Sequence, residues 1–186
     1  PATNRFVEQA EYVPGEDAVP AVYEEKKAEA DTRFRVAVAE GVTSWQIVNA
    51  LQSIDVLAGD VPAVPAEGAL APDSYEVSQG DDRGAVLSRM AVAQEALIAA
   101  AWEARDPDLP ISSPEELLTL ASIIEKETAV ADERRQVSSV FVNRLNQGMR
   151  LQTDPTVIYG ITRGEGVLGR GLRRSELRAE TPWNTY

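Results

Sequence analysis

A sequence of 186 residues and 20.2 kDa is long enough for one ordinary domain or two small ones, and 44% apolar with 26% charged residues describes a globular chain. It contains neither cysteine nor histidine, which excludes thiol nucleophiles, disulfides, Ser-His triads and histidine metal sites, and leaves catalysis to carboxylates, hydroxyls, amides, Lys or Arg. The formal charge of −12 argues against a general nucleic-acid binder.

Residues 1–33 mix Ala, Glu and Pro with little apolar periodicity and read as a mobile arm or an insertion. In "RFRVAVAEGVTSWQIVNALQ", Phe34, Val36 and Val38 alternate with Arg35 and Ala37 as in a half-buried strand, Gly41 turns the chain, and Thr43 caps a short helix bearing Trp45, Ile47, Val48 and Leu51. From Asp60 the rising Pro and Gly density marks an extended connector, within which "LAPDSYEV" suits a short strand with Tyr75 exposed or lining a cleft. Residues 84–104 read as a long core helix through Val86, Leu87, Met90, Ala93, Leu97 and Ile98.

A helix opening at "SSPEELL" has Ser113 as N-cap, Pro114 at its first position and Glu116 completing a capping box. The next runs from about Asp132 to Gln147, with Val137, Val140, Phe141 and Leu145 on one face and Gly148 as its stop. An extended piece at "MRLQ" precedes a helix start in which Asp154 caps and Pro155 leads. "RSELRAE", capped by Ser175, is the last helix signal. Residues 133–178 hold nine arginines against four acids, a basic region suited either to an anionic polymer or to plain solvation. No run of eighteen apolar residues and no signal peptide is present. The chain opens on Pro1 and stops at "TPWNTY", which reads as a fragment of a longer protein.

The carboxylates are the candidates for chemistry. On the helix from Pro114, Leu117, Leu120, Ile123 and Ile124 fall within roughly 80° of Glu127 about the axis, whereas Glu125 points almost the opposite way. A carboxylate held against Ile123 and Ile124 loses hydration, which disfavours its charged form, and the negative end of the helix dipole acts in the same direction. Such a group can hold a proton and give it to a leaving oxygen; the alternative is a structural pair with Arg134 or Arg144. Asp154 is the candidate for a second carboxylate in ordinary glycoside hydrolysis, or simply a helix cap. With Glu127 alone, the chemistry must let one group act first as acid and then as base, as in lytic cleavage, where the sugar's own C6 hydroxyl replaces water.

The segments "LASIIEKETAV", "VFVNRLNQGMRLQTDPTVIYG" and "TPWNTY" closely resemble the endolytic murein transglycosylase family, also called MltG or YceG-like. The likeness is strongest over residues 116–186 and extends back to about residue 33. It implies an α+β fold with a LysM-like portion at 34–60 and a helix-rich, two-layer catalytic portion at 61–186, incomplete because the family's following "GLPPGPI" segment is absent; "WNTY" also stands where the family often has "YNTY". It implies cleavage between N-acetylmuramic acid and N-acetylglucosamine within glycan strands, leaving 1,6-anhydromuramic ends, at the periplasmic face of the bacterial inner membrane through an anchor outside this chain. The second Glu of "EKET", Glu127, is the catalytic residue by this resemblance, with Asn143, Gln152, Thr153, Asp154, Thr156, Tyr159, Asn184 and Tyr186 lining the cleft. Peptidoglycan strands are the implied partner, with a cell-wall synthase left open, and neither a metal nor an organic cofactor is implied. A peptidoglycan-binding module without turnover and a hydrolase pairing Glu127 with Asp154 are the competing readings.

Overall fold

The computed structural model describes residues 11–27, 29, 32–60 and 63–186. Its elements are α1 (Ala21–Lys27), β1 (Arg33–Ala37), α2 (Ser44–Ser53), β2 (Ser74–Ser78), α3 (Arg83–Glu103), α4 (Pro114–Glu127), a 3₁₀ turn (Ala131–Glu133), α5 (Arg134–Asn146) and α6 (Asp154–Thr162). The fold is α+β and helix-rich, with one small antiparallel sheet of two strands among the described residues.

The sheet follows from the alternation in the sequence. Phe34 pairs with Val77 and Val36 with Tyr75, so the apolar residues of both strands share one face. That face meets Ile47, Val48 and Leu51 of α2 and Val86, Leu87 and Met90 of α3 in the larger hydrophobic cluster, closed by Ile54, Val56, Leu57 and Leu70. Tyr75 is buried rather than exposed or cleft-lining; its hydroxyl donates to the Ala71 carbonyl at 2.9 Å, which satisfies the polar end of the ring. Thr43 forms the expected cap with a reciprocal box: its side chain accepts from the Gln46 N–H, and Gln46 accepts from the Thr43 N–H. Gly41 supplies the turn before it at a φ of 75°.

Part of the segment expected to be a mobile arm is a helix, while residues 1–10, 28, 30 and 31 of it lie outside the described residues. Tyr23 on α1 donates to Asp55 Oδ1 at 2.7 Å, and Lys27 pairs with the same carboxylate. Tyr23 also packs edge-on to Tyr12 and beside Phe34. Burial first, then the bond to Asp55, pushes its phenol well above the ordinary range.

Helix α3 behaves as core only over its first half, where Val86, Leu87, Met90 and Gln94 are buried. Leu97 is 55% exposed and Val92 67%, because the sheet and α2 cover only the first three turns. Its 21 residues are also long and apolar enough, by length and composition, to cross a bilayer, a property shared by helices that line a core and one that the absence of an eighteen-residue apolar run does not convey. The start of α3 is tied down by Arg83. Its Nε donates to the Leu51 carbonyl at 2.8 Å, Nη2 to Ile54 at 2.7 Å and Nη1 to Gly59 at 2.9 Å, so one guanidinium binds carbonyls at the end of α2 and in the loop that follows it.

A smaller cluster of Leu120, Ile123 and Phe141 joins α4 to α5, flanked by Ile111, Ile124, Val137, Leu145 and Leu151. Ser113 caps α4 as expected, but the Glu116 carboxylate reaches Ser112 instead, at 2.6 Å to its N–H and 2.9 Å to its hydroxyl. Helix α5 begins at Arg134 after the 3₁₀ turn, and Val140 is 47% exposed because it lies off the narrow stripe that meets α4. At its end, Gly148 at a φ of 64° lets the Met149 N–H reach the Arg144 carbonyl at 2.8 Å and its own N–H reach Leu145 at 3.0 Å, a Schellman stop.

Directed bonds tie the connector and the end of α6 to the unit of the larger cluster. Thr43 Oγ1 donates to the Gly164 carbonyl at 2.7 Å, Glu67 accepts the Ser44 N–H at 2.8 Å, and Gln94 Nε2 donates to the Gly68 carbonyl at 2.8 Å. Gly164, buried at a φ of 80°, leaves no room for a Cβ beside the Glu67 carboxylate.

Replacing Arg83 by Met keeps the aliphatic stem but removes three hydrogen bonds to carbonyls, of which those of Leu51 and Ile54 retain only long backbone donors at 3.3 and 3.4 Å. The expected loss is about 3 kcal/mol of unfolding free energy by urea titration, with Arg83→Lys recovering part of it. A loss within error of zero would show that water satisfies those carbonyls equally well.

Candidate active site

Glu127 closes α4, and it is solvent-exposed. The apolar stripe sinks into the core at Leu120 and Ile123 but does not carry its burial one turn further, because the chain leaves the helix at Thr128 in an extended conformation. The desolvation expected for Glu127 therefore does not arise from its own helix. The carboxylate tied to arginine is instead Glu125: Arg134 Nε and Nη2 each donate to it at 3.0 Å. The sharp turn after α4 swings the start of α5 back to the Glu125 side, and Thr128 holds that turn by donating to Glu133 at 2.8 Å. Arg144, the other arginine expected to compete for Glu127, donates to the Arg150 and Leu151 carbonyls and to Gln152 Oε1.

The partner of Glu127 is a hydroxyl. Thr153 Oγ1 donates to Glu127 Oε1. Thr153 is buried, at 2% exposure, and is the N-cap residue of α6, yet its side chain makes no capping bond. Asp154 is thus not the cap but the first residue of the helix, with an exposed carboxylate that accepts from the Tyr186 hydroxyl at 2.5 Å. That bond, more than burial, raises the Tyr186 phenol above its ordinary value.

Around Thr153 the 152–156 segment is fastened to the last residues of the chain. The Gln152 N–H donates to the Thr185 carbonyl at 3.0 Å, the Thr153 N–H to Thr185 Oγ1 at 3.1 Å, and Thr156 Oγ1 lies 2.9 Å from Thr185 Oγ1. Gln152 sits in the left-handed region at a φ of 53°, which costs a non-glycine residue about 1–2 kcal/mol. Arg144 and Thr185 hold it there from opposite ends.

The expected residues divide accordingly. Glu127, Thr153, Asp154, Thr156 and Tyr186 form one bonded group, and Gln152 joins it through its backbone. Tyr159 packs 6.4 Å from Trp183, whose other contact is the Arg163 guanidinium at 3.5 Å from the ring centre. Asn143 lies exposed on α5, apart from that group. Asn184 is turned inward: its amide donates to the Glu176, Leu177 and Ala179 carbonyls and its oxygen accepts the Tyr186 N–H. This also explains why "RSELRAE" forms turns and not the expected helix. Asn184 takes carbonyls a helix would use itself, while the Glu176 carboxylate folds back to the Arg173 N–H and the Arg170 guanidinium. Thr185 is the site residue that sequence reasoning passed over, although it lies inside a quoted motif, and Arg144 enters that reasoning only as a partner of Glu127. Two shallow hollows lie along α3 from Ser88 to Ala96 and between α4 and α5 near Ala121, Glu125 and Arg134, and Glu127 lines neither of them.

The family model described as YceG-like matches residues 12–186. The chain belongs to this family. It is 33% identical over 122 residues to the endolytic murein transglycosylase of Bacillus subtilis, a match covering 66% of this chain and 32% of the relative. It is 29% identical over 126 residues to the endolytic murein transglycosylase of Streptococcus pneumoniae, covering 64% of this chain and 22% of that protein. The match to these curated relatives thus spans at most about a third of their length. A crystal structure of a yceG-like protein from Listeria monocytogenes superposes with a TM-score of 0.61 at 26% identity, covering 84% of this chain and 60% of that one.

The turn that Asn184 grips carries a pH dependence. Arg170, then the Arg173 N–H, holds the Glu176 carboxyl at about 2, below its ordinary 4.5. A depressed carboxyl contributes stability that is present above the unfolded value and is lost as pH falls through the folded one. Between pH 4.5 and about 2, the protection of the Arg173 and Tyr186 amides relative to their intrinsic exchange rates is expected to fall before that of α3. Simultaneous loss of both would show that the turn has no separate acid transition.

Proposed function

We propose that this protein acts as an endolytic peptidoglycan lytic transglycosylase, a carbon–oxygen lyase that cuts the bond between N-acetylmuramic acid and N-acetylglucosamine within glycan strands. The observation that carries the reading is the environment of Glu127: an exposed carboxylate at a helix end whose partner is a threonine hydroxyl, while the neighbouring Glu125 takes the arginine. A guanidinium partner favours only the ionised carboxylate. A hydroxyl donates to a carboxylate and accepts from a carboxylic acid, so Thr153 can stay bonded to Glu127 in both protonation states.

That property suits a single group working twice. Protonated Glu127 gives its proton to the glycosidic oxygen as the bond from the muramic C1 breaks. The resulting carboxylate takes the proton of the muramic C6 hydroxyl as that oxygen attacks C1, which closes the 1,6-anhydro ring and returns Glu127 to its acid form. No water is consumed. The names of the B. subtilis and S. pneumoniae relatives support the same class of activity, as does the place of Glu127 in "EKET". The LysM-like reading of residues 34–60, and anchoring at the periplasmic face of the inner membrane beside cell-wall synthesis, belong to the same proposal.

A hydrolase using two carboxylates is the second reading, and one observation favours it: Asp154 is exposed and immediately follows the threonine that binds Glu127. Purified sacculi digested by the full-length protein separate the two, with product ends read by mass spectrometry. The expected result is anhydro ends, abolished by Glu127→Gln with folding and glycan binding retained. Reducing ends, or an active Glu127→Gln, would sink the lytic assignment.

Two further substitutions test the division of labour. Glu125→Gln is expected to cost about 1 kcal/mol of stability through the partly exposed pair with Arg134, while leaving the products unchanged. Asp154→Asn keeps an acceptor for the Tyr186 hydroxyl and is expected to retain turnover. A collapse of turnover in Asp154→Asn at unchanged melting temperature would favour the hydrolase.

A further inference from the structure

Thr185 occupies a position that the proposed chemistry leaves unused. Three hydrogen bonds link it, Thr156 and the Thr153 backbone, and their directions follow from counting protons. A carbonyl cannot donate, so the 2.8 Å contact between Thr156 Oγ1 and the Thr153 carbonyl uses the only hydroxyl proton of Thr156. The 2.9 Å contact between the two hydroxyls must then be donated by Thr185. The Thr185 oxygen in turn accepts the Thr153 N–H at 3.1 Å. The circuit is closed: Thr153 N–H to Thr185, Thr185 O–H to Thr156, Thr156 O–H to the Thr153 carbonyl.

Its effect falls on the one group left outside it. Both backbone dipoles of Thr153 are satisfied from the ring, although Thr153 is an N-cap residue whose hydroxyl would ordinarily serve the helix. That hydroxyl makes no capping bond and donates to Glu127, while the ring fixes the backbone that carries it. The ring itself is anchored on the far side, where the Thr185 carbonyl accepts the Gln152 N–H at 3.0 Å and Asn184 fixes Tyr186 to the preceding turn.

We propose that Thr185 is a positioning residue for Glu127, acting through Thr153, so that docking of the 184–186 segment sets the acid/base group in its working orientation. The inference rests on the proposed role of Glu127, and touches substrate nowhere itself. A displacement of a catalytic group by about 1 Å can cost on the order of a hundredfold in rate, and a ring of three bonds around the supporting residue restrains motion on that scale.

The test uses the full-length protein and glycan strands of defined length. Thr185→Val preserves shape and removes the hydroxyl; the expected outcome is a fall in kcat of about tenfold to a hundredfold at nearly constant KM. Thr185→Ser, which restores the donor and acceptor, is expected to recover most of the rate. Thr156→Val breaks the same circuit at its second member and should add little when combined with Thr185→Val. Undiminished kcat in both valine variants, or a Thr185→Ser variant as slow as Thr185→Val, would overturn the proposal. Amide exchange at Thr153 supplies a readout independent of turnover: faster in Thr185→Val and protected in Thr185→Ser if the ring exists, unchanged in both if it does not. Should Glu127→Gln remain active, the functional reading fails, and the exchange experiment still decides whether Thr185 fixes Thr153.

Discussion

The site depends on Thr153 being held by its backbone and not by its side chain. A buried threonine at the start of a helix has a ready use for its hydroxyl, the capping bond, which stabilises by about 1 kcal/mol. Here that bond is forgone. Thr185 and Thr156 take up the N–H and carbonyl on either side of it, so the backbone is fixed while the hydroxyl donates to Glu127. The carboxylate at the end of α4 thereby has a hydroxyl partner whose backbone is held in place.

The surrounding charges are arranged so that this partner is not displaced. Six residues lie between Glu127 and Arg134 along the chain, and an ion pair between the two would favour the carboxylate as an anion. Glu125 intercepts that guanidinium with two bonds, and Arg144 is occupied by the carbonyls at 150 and 151 and by Gln152. A region with a local excess of arginine thus leaves Glu127 without an arginine partner, with Arg134 and Arg144 committed elsewhere. The "EKE" spelling makes sense in these terms: one glutamate neutralises the incoming helix, and the other is kept for a hydroxyl.

What the sequence disclosed and what it withheld differ in kind. Periodicity and caps gave β1, α2, α4 and the stop at Gly148, because each depends on residues within a turn or two of one another. The identity of Glu127 as the carboxylate of interest came from its place on a helical face and from motif resemblance, yet its exposure did not follow, since burial there is decided by where α5 and α6 pack. The helix expected at "RSELRAE" failed for the same reason: Asn184, several residues downstream, takes its carbonyls. Leu97 and Val140 have core-like spacing but meet no covering element among the described residues. Thr185 was invisible because a threonine between two motif residues carries no periodic or charge signal; only long-range hydrogen bonds reveal its use.

Helix α6 joins the two halves of the molecule end to end. Just past its last turn, the Gly164 carbonyl receives the Thr43 hydroxyl from the mouth of α2, while its first turn carries the threonine bound to Glu127. Its nine residues span about 14 Å at the rise of an α-helix. Along this route the sheet-bearing unit and the threonine bound to the carboxylate are spaced by a rod of fixed pitch and not by a loop, beside the close approach of Gly41 to Glu125 and Lys126 on α4. Inserting or deleting a residue within that rod would change the span by about 1.5 Å and rotate one end against the other by about 100°, which makes α6 a gauge whose length cannot drift without turning Glu127's partner away.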